Sequence, residues 1–445
     1  MAPRLAVALL LLALVGATPA VAAKTPPAGA LTQLSGPAGC IVGAGSHARH
    51  CATARALAGP GPFVGSDAVA VSPDGRNVYV AAADANAIVV FARDAATGAL
   101  TQPGGAAGCI AVGGADGCAP ATGLVGPNSV AVTPDGRTVY ATARDSNAVV
   151  AFARDPANGA LSQVGCLSST DASCAPAGAL GGADAVAVSA DGTNVYVGAF
   201  SANAVAAFAR DVTTGALTPV GCVTAGGTEG CTPATGLQGV ESVAVSPDGT
   251  SVYAAGALAS TLYAFSRGPG GALVPQGCVG QGGPTCSPGR SLQGLNAVAV
   301  SPDGSALYAT AVISNGLAFF ARAPGGALTQ PPLSTACIAA LPAAGCSLGR
   351  GFSRPEGLAV SPDGRTVYVA SFGGALAIVD TASRQLRGRA GCLTTKPSLA
   401  CARGRALLGA SSVAVSPDGR NVYVTSYLSG SVTVFRRATG QVRRG

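Results

Sequence analysis

One tetrapeptide pattern decides what this chain can become. Ser72-Pro73-Asp74-Gly75 returns as Thr133-Pro134-Asp135-Gly136, Ser189-Ala190-Asp191-Gly192 and Ser246-Pro247-Asp248-Gly249. It then returns as Ser301-Pro302-Asp303-Gly304, Ser361-Pro362-Asp363-Gly364 and Ser416-Pro417-Asp418-Gly419. Proline presets φ, Asp accepts local backbone hydrogen bonds, and Gly tolerates positive φ, so each copy predicts a tight turn. An apolar run such as Ala68-Val69-Ala70-Val71 precedes the turn and Val78-Tyr79-Val80 follows it. That is a hairpin of two short strands. The copies stand 61, 56, 57, 55, 60 and 55 residues apart. At 445 residues the chain exceeds the length at which one hydrophobic core stops growing. Repetition makes separate domains unnecessary, because repeat units bury their faces against neighbours.

One unit runs from Asp67 to Gly126. Ala68–Val71 and Val78–Ala82 flank the turn, a polar link around Asp84 and Asn86 leads to a third strand at Ile88–Phe91, and Ala99-Leu100-Thr101 begins a fourth. A Gly-rich loop holding Cys109 and Cys118 leads to the next unit. Four short strands repeated radially are the blade of a β-propeller, so the expected fold is an all-β, seven-bladed propeller of four-stranded antiparallel blades over residues 29–437. In the first strand Val69 and Val71 face one way and Ala68 and Ala70 the other, by the period of two. The Tyr at 79, 140, 196, 253, 308, 368 and 423 holds one place in the second strand, where inter-blade packing is its expected role. Ala30-Leu31-Thr32-Gln33 repeats fourth-strand text with no strands before it, while the last unit stops soon after Ser431–Phe435. The N-terminal segment is therefore expected to supply the outer strand of the last blade and remove an open edge. Thr439-Gly440-Gln441-Val442, a degenerate copy, competes for that place.

Residues 1–23 carry a basic start at Arg4, an apolar core from Leu5 to Val15, and Ala20-Val21-Ala22, the pattern of a signal peptide. A short linker (24–28) follows, and 438–445 form a basic tail. The expected location is secreted or periplasmic, in the cell envelope, with no membrane span. The 14 cysteines fall in seven close pairs: Cys40 with Cys51, Cys109 with Cys118, Cys166 with Cys174, Cys222 with Cys231, Cys278 with Cys286, Cys337 with Cys346 and Cys392 with Cys401. An even count in an exported chain predicts disulfides, and one pair per repeat favours local pairing over its rivals.

In propeller geometry the tetrapeptide turns lie on one face, and the cysteine loops with the second-to-third-strand links lie on the other. Loops on a rigid scaffold carry function, which points to the cysteine-loop face. The residue at the start of each first strand reads Asp67, Asn128, Asp184, Glu241, Asn296, Glu356 and Ser411. These seven are expected to ring the mouth of the central channel as a ligand site. Carboxylates this close need water, partners or a cation, and Asp184, Glu241 and Glu356 are candidate oxygen ligands for a divalent ion such as Ca²⁺. A hydrated polar rim is the simpler alternative. The tetrapeptide Asp residues, though they look like a row of carboxylates, are expected to serve as turn formers.

Catalytic motifs are sparse. The two histidines, His47 and His50, lie in the first cysteine loop, which leaves no central base for a Ser-His-Asp relay. Walker and dinucleotide patterns are absent from the sequence. Arg144, Asp145, Phe200, Phe372 and Tyr427 in the links offer a shallow cleft. From residue 381 onward eleven basic residues face one acid, giving +10, against −3 for the remainder. Arg384, Arg387, Arg389, Lys396, Arg403 and Arg405, with Arg436, Arg437, Arg443 and Arg444, form a basic cluster suited to an envelope polyanion. Nucleic acid is not expected, and the chain is expected to be a monomer.

The recurrent text Ala-Val-Ala-Val-Ser-Pro-Asp-Gly-x-x-Val-Tyr-Val at 68–80 resembles the YVTN-type and lactonase-like (6-phosphogluconolactonase-like) seven-bladed β-propellers. The resemblance implies the fold over nearly all of 29–437 and, through the family's enzymes, hydrolysis of lactones or related cyclic esters. No catalytic motif of the family carries over to these residues. The reading that follows is a binding or interaction module whose ligand, a small molecule or protein, meets the channel mouth. Lactone hydrolysis by ring carboxylates is the alternative.

Overall fold

The computed structural model describes residues 27–439, apart from 45, 47, 58–66, 282–284, 333–334, 344, 388–390 and 396–400. The segment read as an export signal, His47, Arg389, Lys396, Arg443, Arg444 and residues 440–442 lie outside the described residues. Among the described residues no helix is long and apolar enough to cross a membrane.

Seven sheets stand around one axis, six built from one repeat each and the seventh from the last repeat together with the N-terminal segment. In the second blade Pro127–Val132, Thr138–Ala143, Ala148–Arg154 and Leu161–Ser168 pair antiparallel in order from the axis outward. The turn chemistry read from the tetrapeptide is present. In the first blade Ser72 Oγ donates to Asp74 Oδ1 at 2.5 Å, which also accepts from the Arg76 N–H at 3.0 Å. Gly75 adopts φ +68°, the conformation that requires glycine there.

Each sheet is larger than the four strands expected. A fifth strand, parallel to the fourth, follows the second cysteine of each pair, as at Ala175–Pro176 against Leu167 and Ser168. The fourth strand itself takes two forms. Where few residues separate the strand start from its cysteine, it runs unbroken through a bulge, as at Leu161–Ser168. Where four more intervene, the excess folds outward: Leu100–Thr101 and Cys109–Val112 pair with one third strand on either side of a 3₁₀ turn.

All seven expected disulfides are formed, each inside its own loop. Cys40 is bonded to Cys51, Cys109 to Cys118, Cys166 to Cys174 and Cys222 to Cys231. Cys278 is bonded to Cys286, Cys337 to Cys346 and Cys392 to Cys401. The second cysteine stands beside the fifth strand, so Cys174, Cys231, Cys286 and Cys346 each tie that short parallel strand to the fourth strand of their own blade. No cysteine is left free among the described residues.

The apolar residues gather into seven clusters between neighbouring blades. Val69 and Val71 pack toward the last blade, and Ala68 and Ala70 toward the second. The repeated Tyr residues are buried in these junctions, as expected. They also do more than pack. Tyr79 Oη donates to the Gly159 carbonyl of the next blade at 2.9 Å and accepts from Arg154 Nε at 2.8 Å. Arg154 further reaches Asp74 Oδ2 and Asn77 Oδ1, both at 2.7 Å, and the Gly136 carbonyl at 3.0 Å. The tetrapeptide Asp thus forms its own turn, as expected, and also neutralises an arginine of the following blade. Equivalent pairs join Asp135 to Arg210, Asp191 to Arg267, Asp248 to Arg322, Asp363 to Arg437 and Asp418 to Arg93. In the sequence they announce themselves as Phe-x-Arg at the end of the third strand, 91–93, 152–154, 208–210, 265–267, 320–322 and 435–437.

The ring shuts through the N-terminal segment. Leu31–Gln33 and Cys40–Gly43 both pair antiparallel with Ser431–Arg437 of the last blade. Part of the expected basic cluster is spent on this closure. Arg405 donates to the carbonyls of Leu34 at 3.2 Å and Gly36 at 3.0 Å, and Arg387 bonds the Ala28 carbonyl and pairs with Asp380. Arg437 is buried between blades.

Candidate functional site

All seven ring residues line one funnel at the axis, of about 450 Å³: Asp67, Asn128, Asp184, Glu241, Asn296, Glu356 and Ser411. The backbone feature that positions six of them is a bulge. The register between first and second strands slips between Pro127 and Ser129, Ala183 and Ala185, Val240 and Ser242, Leu295 and Ala297, Pro355 and Gly357, and Ala410 and Ser412. The skipped residue is the ring residue each time. A bulge breaks the period of two and re-aims one side chain, so these residues escape the alternation of the Ala-Val-Ala-Val text behind them.

Two further contacts from neighbouring blades fix this backbone. Thr142, Thr310 and Thr425 donate their hydroxyls to the carbonyls of Asp184, Glu356 and Asp67, at 2.9, 3.0 and 3.2 Å. Asn86, Asn147, Asn203 and Asn315 sit in the second-to-third-strand links with positive φ. Their side-chain oxygens accept from the N–H groups of Gly126, Gly182, Gly239 and Arg354, at 2.6 to 2.8 Å. Each of those N–H groups lies two residues before the ring residue of the next blade. Short polar side chains tolerate the left-handed conformation these links need.

The electrostatics of the funnel are unusual. The Asp184 side chain is 1% exposed, and both of its oxygens are buried with the Glu241 carboxyl as their one hydrogen-bonding neighbour. Arg144 Nη1 stops 3.7 Å from Oδ2. Burial first, then the Glu241 carboxyl beside it, raises the Asp184 pKa well above the ordinary range. Burial and the charges of Asp84 and Glu356 push Asp67 up to about 8. Glu356 is pushed up to about 7 by burial, while Arg354, with Nη2 at 3.5 Å from Oε1, opposes the shift. At neutral pH the mouth therefore holds protonated as well as ionised carboxyls, and a protonated one donates one hydrogen bond while accepting others.

Two arginines stand over this rim on aromatic supports. The Arg144 guanidinium lies 5.0 Å from the Phe200 ring centre and that of Arg354 lies 4.5 Å from Phe372, with Tyr427 6.5 Å beyond. Arg144, Phe200, Phe372 and Tyr427 are among the link residues singled out in the sequence; Asp145, beside Arg144, is exposed. Arg354 was not legible there. It belongs to a cysteine loop rather than a link and adopts φ +51°, which no sequence pattern marked. Among the described residues no group of three or more His, Cys, Asp and Glu side chains is placed to hold a metal ion. Asp184 and Glu241 stand side by side on this mouth, Glu356 lines the same funnel, and Arg144 and Arg354 bring positive charge to Asp184 and Glu356.

A seven-bladed, disulfide-braced β-propeller with a titratable polar mouth is the class these features define. A family model described as "Lactonase, 7-bladed beta-propeller" matches residues 52–175 and 115–232, and the seven-bladed fold is the one the repeated motif predicted. Among solved structures, hydrazine synthase of Kuenenia stuttgartiensis matches with a TM-score of 0.54 at 18% identity, covering 84% of this chain and 96% of that one. The periplasmic gluconolactonase of Pseudomonas aeruginosa gives 0.52 at 22% identity, covering 79% and 88%. A putative 6-phosphogluconolactonase from Bacteroides uniformis gives 0.51 at 18% identity, covering 70% and 80%. At these identities the likeness is one of fold. No curated protein matches the sequence.

Proposed function

We propose that the channel mouth binds a small, polyhydroxylated or carboxylated ligand, and that the protein acts as an extracytoplasmic binding module. The observation that carries this reading is Asp184, a buried carboxyl lining an open funnel with no hydrogen-bonding neighbour but the Glu241 carboxyl. A buried polar group left unsatisfied costs about 1–3 kcal/mol, which a ligand hydroxyl would recover. Mixed protonated and ionised carboxyls suit a polyol, and the guanidinium groups of Arg144 and Arg354 suit a ligand carboxylate. Lactonase names among the structural neighbours favour sugar acids and their lactones as the first ligands to try. Seven disulfides fit an oxidising compartment, and secretion or periplasmic residence follows from the signal-like N-terminus.

Calorimetric titration of gluconate, gluconolactone and simple polyols tests the reading. Joint replacement of Asp184, Glu241 and Glu356 by Ala is expected to abolish binding while the melting transition persists. Unchanged binding in that triple variant rejects the site.

Glu356 supports a second reading, hydrolysis of lactones or related cyclic esters. A carboxyl titrating near 7 is matched to general acid–base work at neutral pH, and Arg354 beside it is suited to stabilising an oxyanion. Turnover of a lactone panel, measured with and without chelator, separates the readings. Activity lost in Glu356→Gln or Glu241→Gln supports the hydrolase. A wild-type protein that binds lactones without opening them rules it out.

A further inference from the structure

Six of the seven inter-blade junctions are closed by the arginine clasp described above, and the junction between the fifth and sixth blades is not. Three positions that build the clasp differ together there. Ala306 stands where other blades carry Asn77, Thr138, Asn194, Ser251, Thr366 or Asn421; Val379 replaces the phenylalanine; Thr381 replaces the arginine. The register itself is kept, since the Thr381 N–H still donates to the Arg365 carbonyl at 3.2 Å as Arg93 does to Arg76. Thr381 Oγ1 donates to the Gly364 carbonyl at 2.8 Å, the acceptor its counterparts reach with Nη1. Ala306 removes the side-chain oxygen that other blades offer the arginine, while the Asp303 carboxylate and the Tyr308 hydroxyl remain. Among the described residues Asp303 makes no ion pair, and Tyr308 alone of the seven repeated tyrosines donates no hydrogen bond from its hydroxyl.

What occupies this position is a cleft of about 540 Å³, bordered by Asp303, Ala306, Tyr308, Phe319, Thr381 and Arg384. Phe319, bulkier than Val90, Ala151, Ala207 or Ala264 at the same place, meets Tyr308 edge-on at 5.9 Å. It makes good part of the apolar volume lost with the phenylalanine, but nothing makes good the lost cation. Arg384 stays at the rim, where its guanidinium lies 5.8 Å from the Phe319 ring centre and Nη1 donates to the Thr335 carbonyl at 3.2 Å. The chain therefore keeps the carboxylate and the tyrosine of this guanidinium receptor at seven junctions and fills six of them with its own arginine.

We propose that this cleft binds an alkylguanidinium, whose planar fork takes Asp303 and Tyr308 as the chain's own arginines take their equivalents elsewhere. A guanidinium matches a carboxylate with two parallel donors, which a primary ammonium does not. The group arrives either on a free small molecule or on an arginine of a peptide. The site lies on the tetrapeptide face, away from the channel mouth, so it stands or falls independently of the function proposed there.

The test is titration of the full chain, followed by NMR or calorimetry, with agmatine, a blocked Gly-Arg-Gly peptide, and cadaverine as the ammonium control. Agmatine is expected to bind and cadaverine to bind much more weakly. Peptide binding comparable to agmatine identifies an arginine-bearing partner as an accessible source, and agmatine binding alone identifies a small molecule. Asp303→Asn should weaken agmatine roughly tenfold or more. Thr381→Arg should abolish binding by filling the cleft from within, and should raise the melting temperature. Absence of binding by both guanidinium probes, equal binding of cadaverine, or agmatine binding unchanged in Asp303→Asn overturns the proposal. Binding that appears only in Arg384→Ala also overturns it, because Arg384 would then be the occupant.

Discussion

Asp67 and Glu356 make the pH response of this molecule predictable at the level of single residues. Both are held with raised pKa values, about 8 and about 7, chiefly by burial. A carboxyl raised in the folded state binds its proton more tightly there than in the unfolded chain. Its contribution is fully present below the unfolded value near 4 and is lost as pH rises through the folded one. Asp67→Asn should therefore stabilise the protein at pH 8 by roughly 1–2 kcal/mol, after allowance for solvent screening, and little at pH 4. Melting curves across that range check it; a variant gain as large at pH 4 as at pH 8 counts against the shift. The identity of the ring residues was legible because each one breaks polar into an Ala-Val-Ala-Val text. Their orientation was not. The bulges that aim Asn128, Asp184, Glu241, Asn296, Glu356 and Ser411 require no particular residue type, so no letter of the sequence signals them.

The element that sets stability is the clasp between the tetrapeptide turn and the third strand of the next blade. Arg154 is 2% exposed and Asp74 35% exposed. Removing the acid leaves a buried guanidinium short of its counter-charge, at a cost of about 2–4 kcal/mol. Asp303 makes the same turn contacts without the arginine, so Asp303→Ala should cost only about 1 kcal/mol. Chemical denaturation of Asp74→Ala and Asp303→Ala side by side measures the difference, and equal losses would deny the clasp its role. The six paired Asp residues are also held below the ordinary carboxylate range, Asp363 at about 2, by turn hydrogen bonds and their arginines acting against burial. That stability is present above the unfolded pKa near 4 and disappears as pH falls through the folded values. Acid should therefore open the blade junctions. The turn was fully legible, since Pro, Asp and Gly each have a local reason to be there. The clasp is not legible although Phe-x-Arg recurs six times, because its partner lies about 70 to 80 residues away in five cases and no local rule connects the two.

For the whole molecule, closure rests on one short segment. Leu31–Gln33 and Cys40–Gly43 cover the edge of the last blade, with Arg405 fastened across them. A chain lacking residues 27–43 should expose the Ser431–Arg437 edge and self-associate, since unpaired strands recruit others. Size-exclusion chromatography reads this directly, and a monomer of unchanged melting temperature would show that another segment can seal the ring. The basic excess after residue 381 looked in the sequence like a surface for polyanions. Within that excess Arg387 and Arg405 hold this seam and Arg437 clasps Asp363 of the neighbouring blade, uses that charge counting alone does not reveal.

The position of that seam orders events during synthesis. Every disulfide lies inside a single cysteine loop, so each bridge can form as soon as its own loop has emerged. The final pairing joins Leu31 to Arg437, so the earliest segment waits for about 400 residues of translation, roughly 20–80 s at ordinary rates. Near the end of that interval six blades can stand in an open arc with two bare ends, their bridges closing once the loops reach an oxidising compartment. The newborn protein is thus most vulnerable to mispairing when it is nearly finished, and a chaperone guarding those ends would be needed late rather than early.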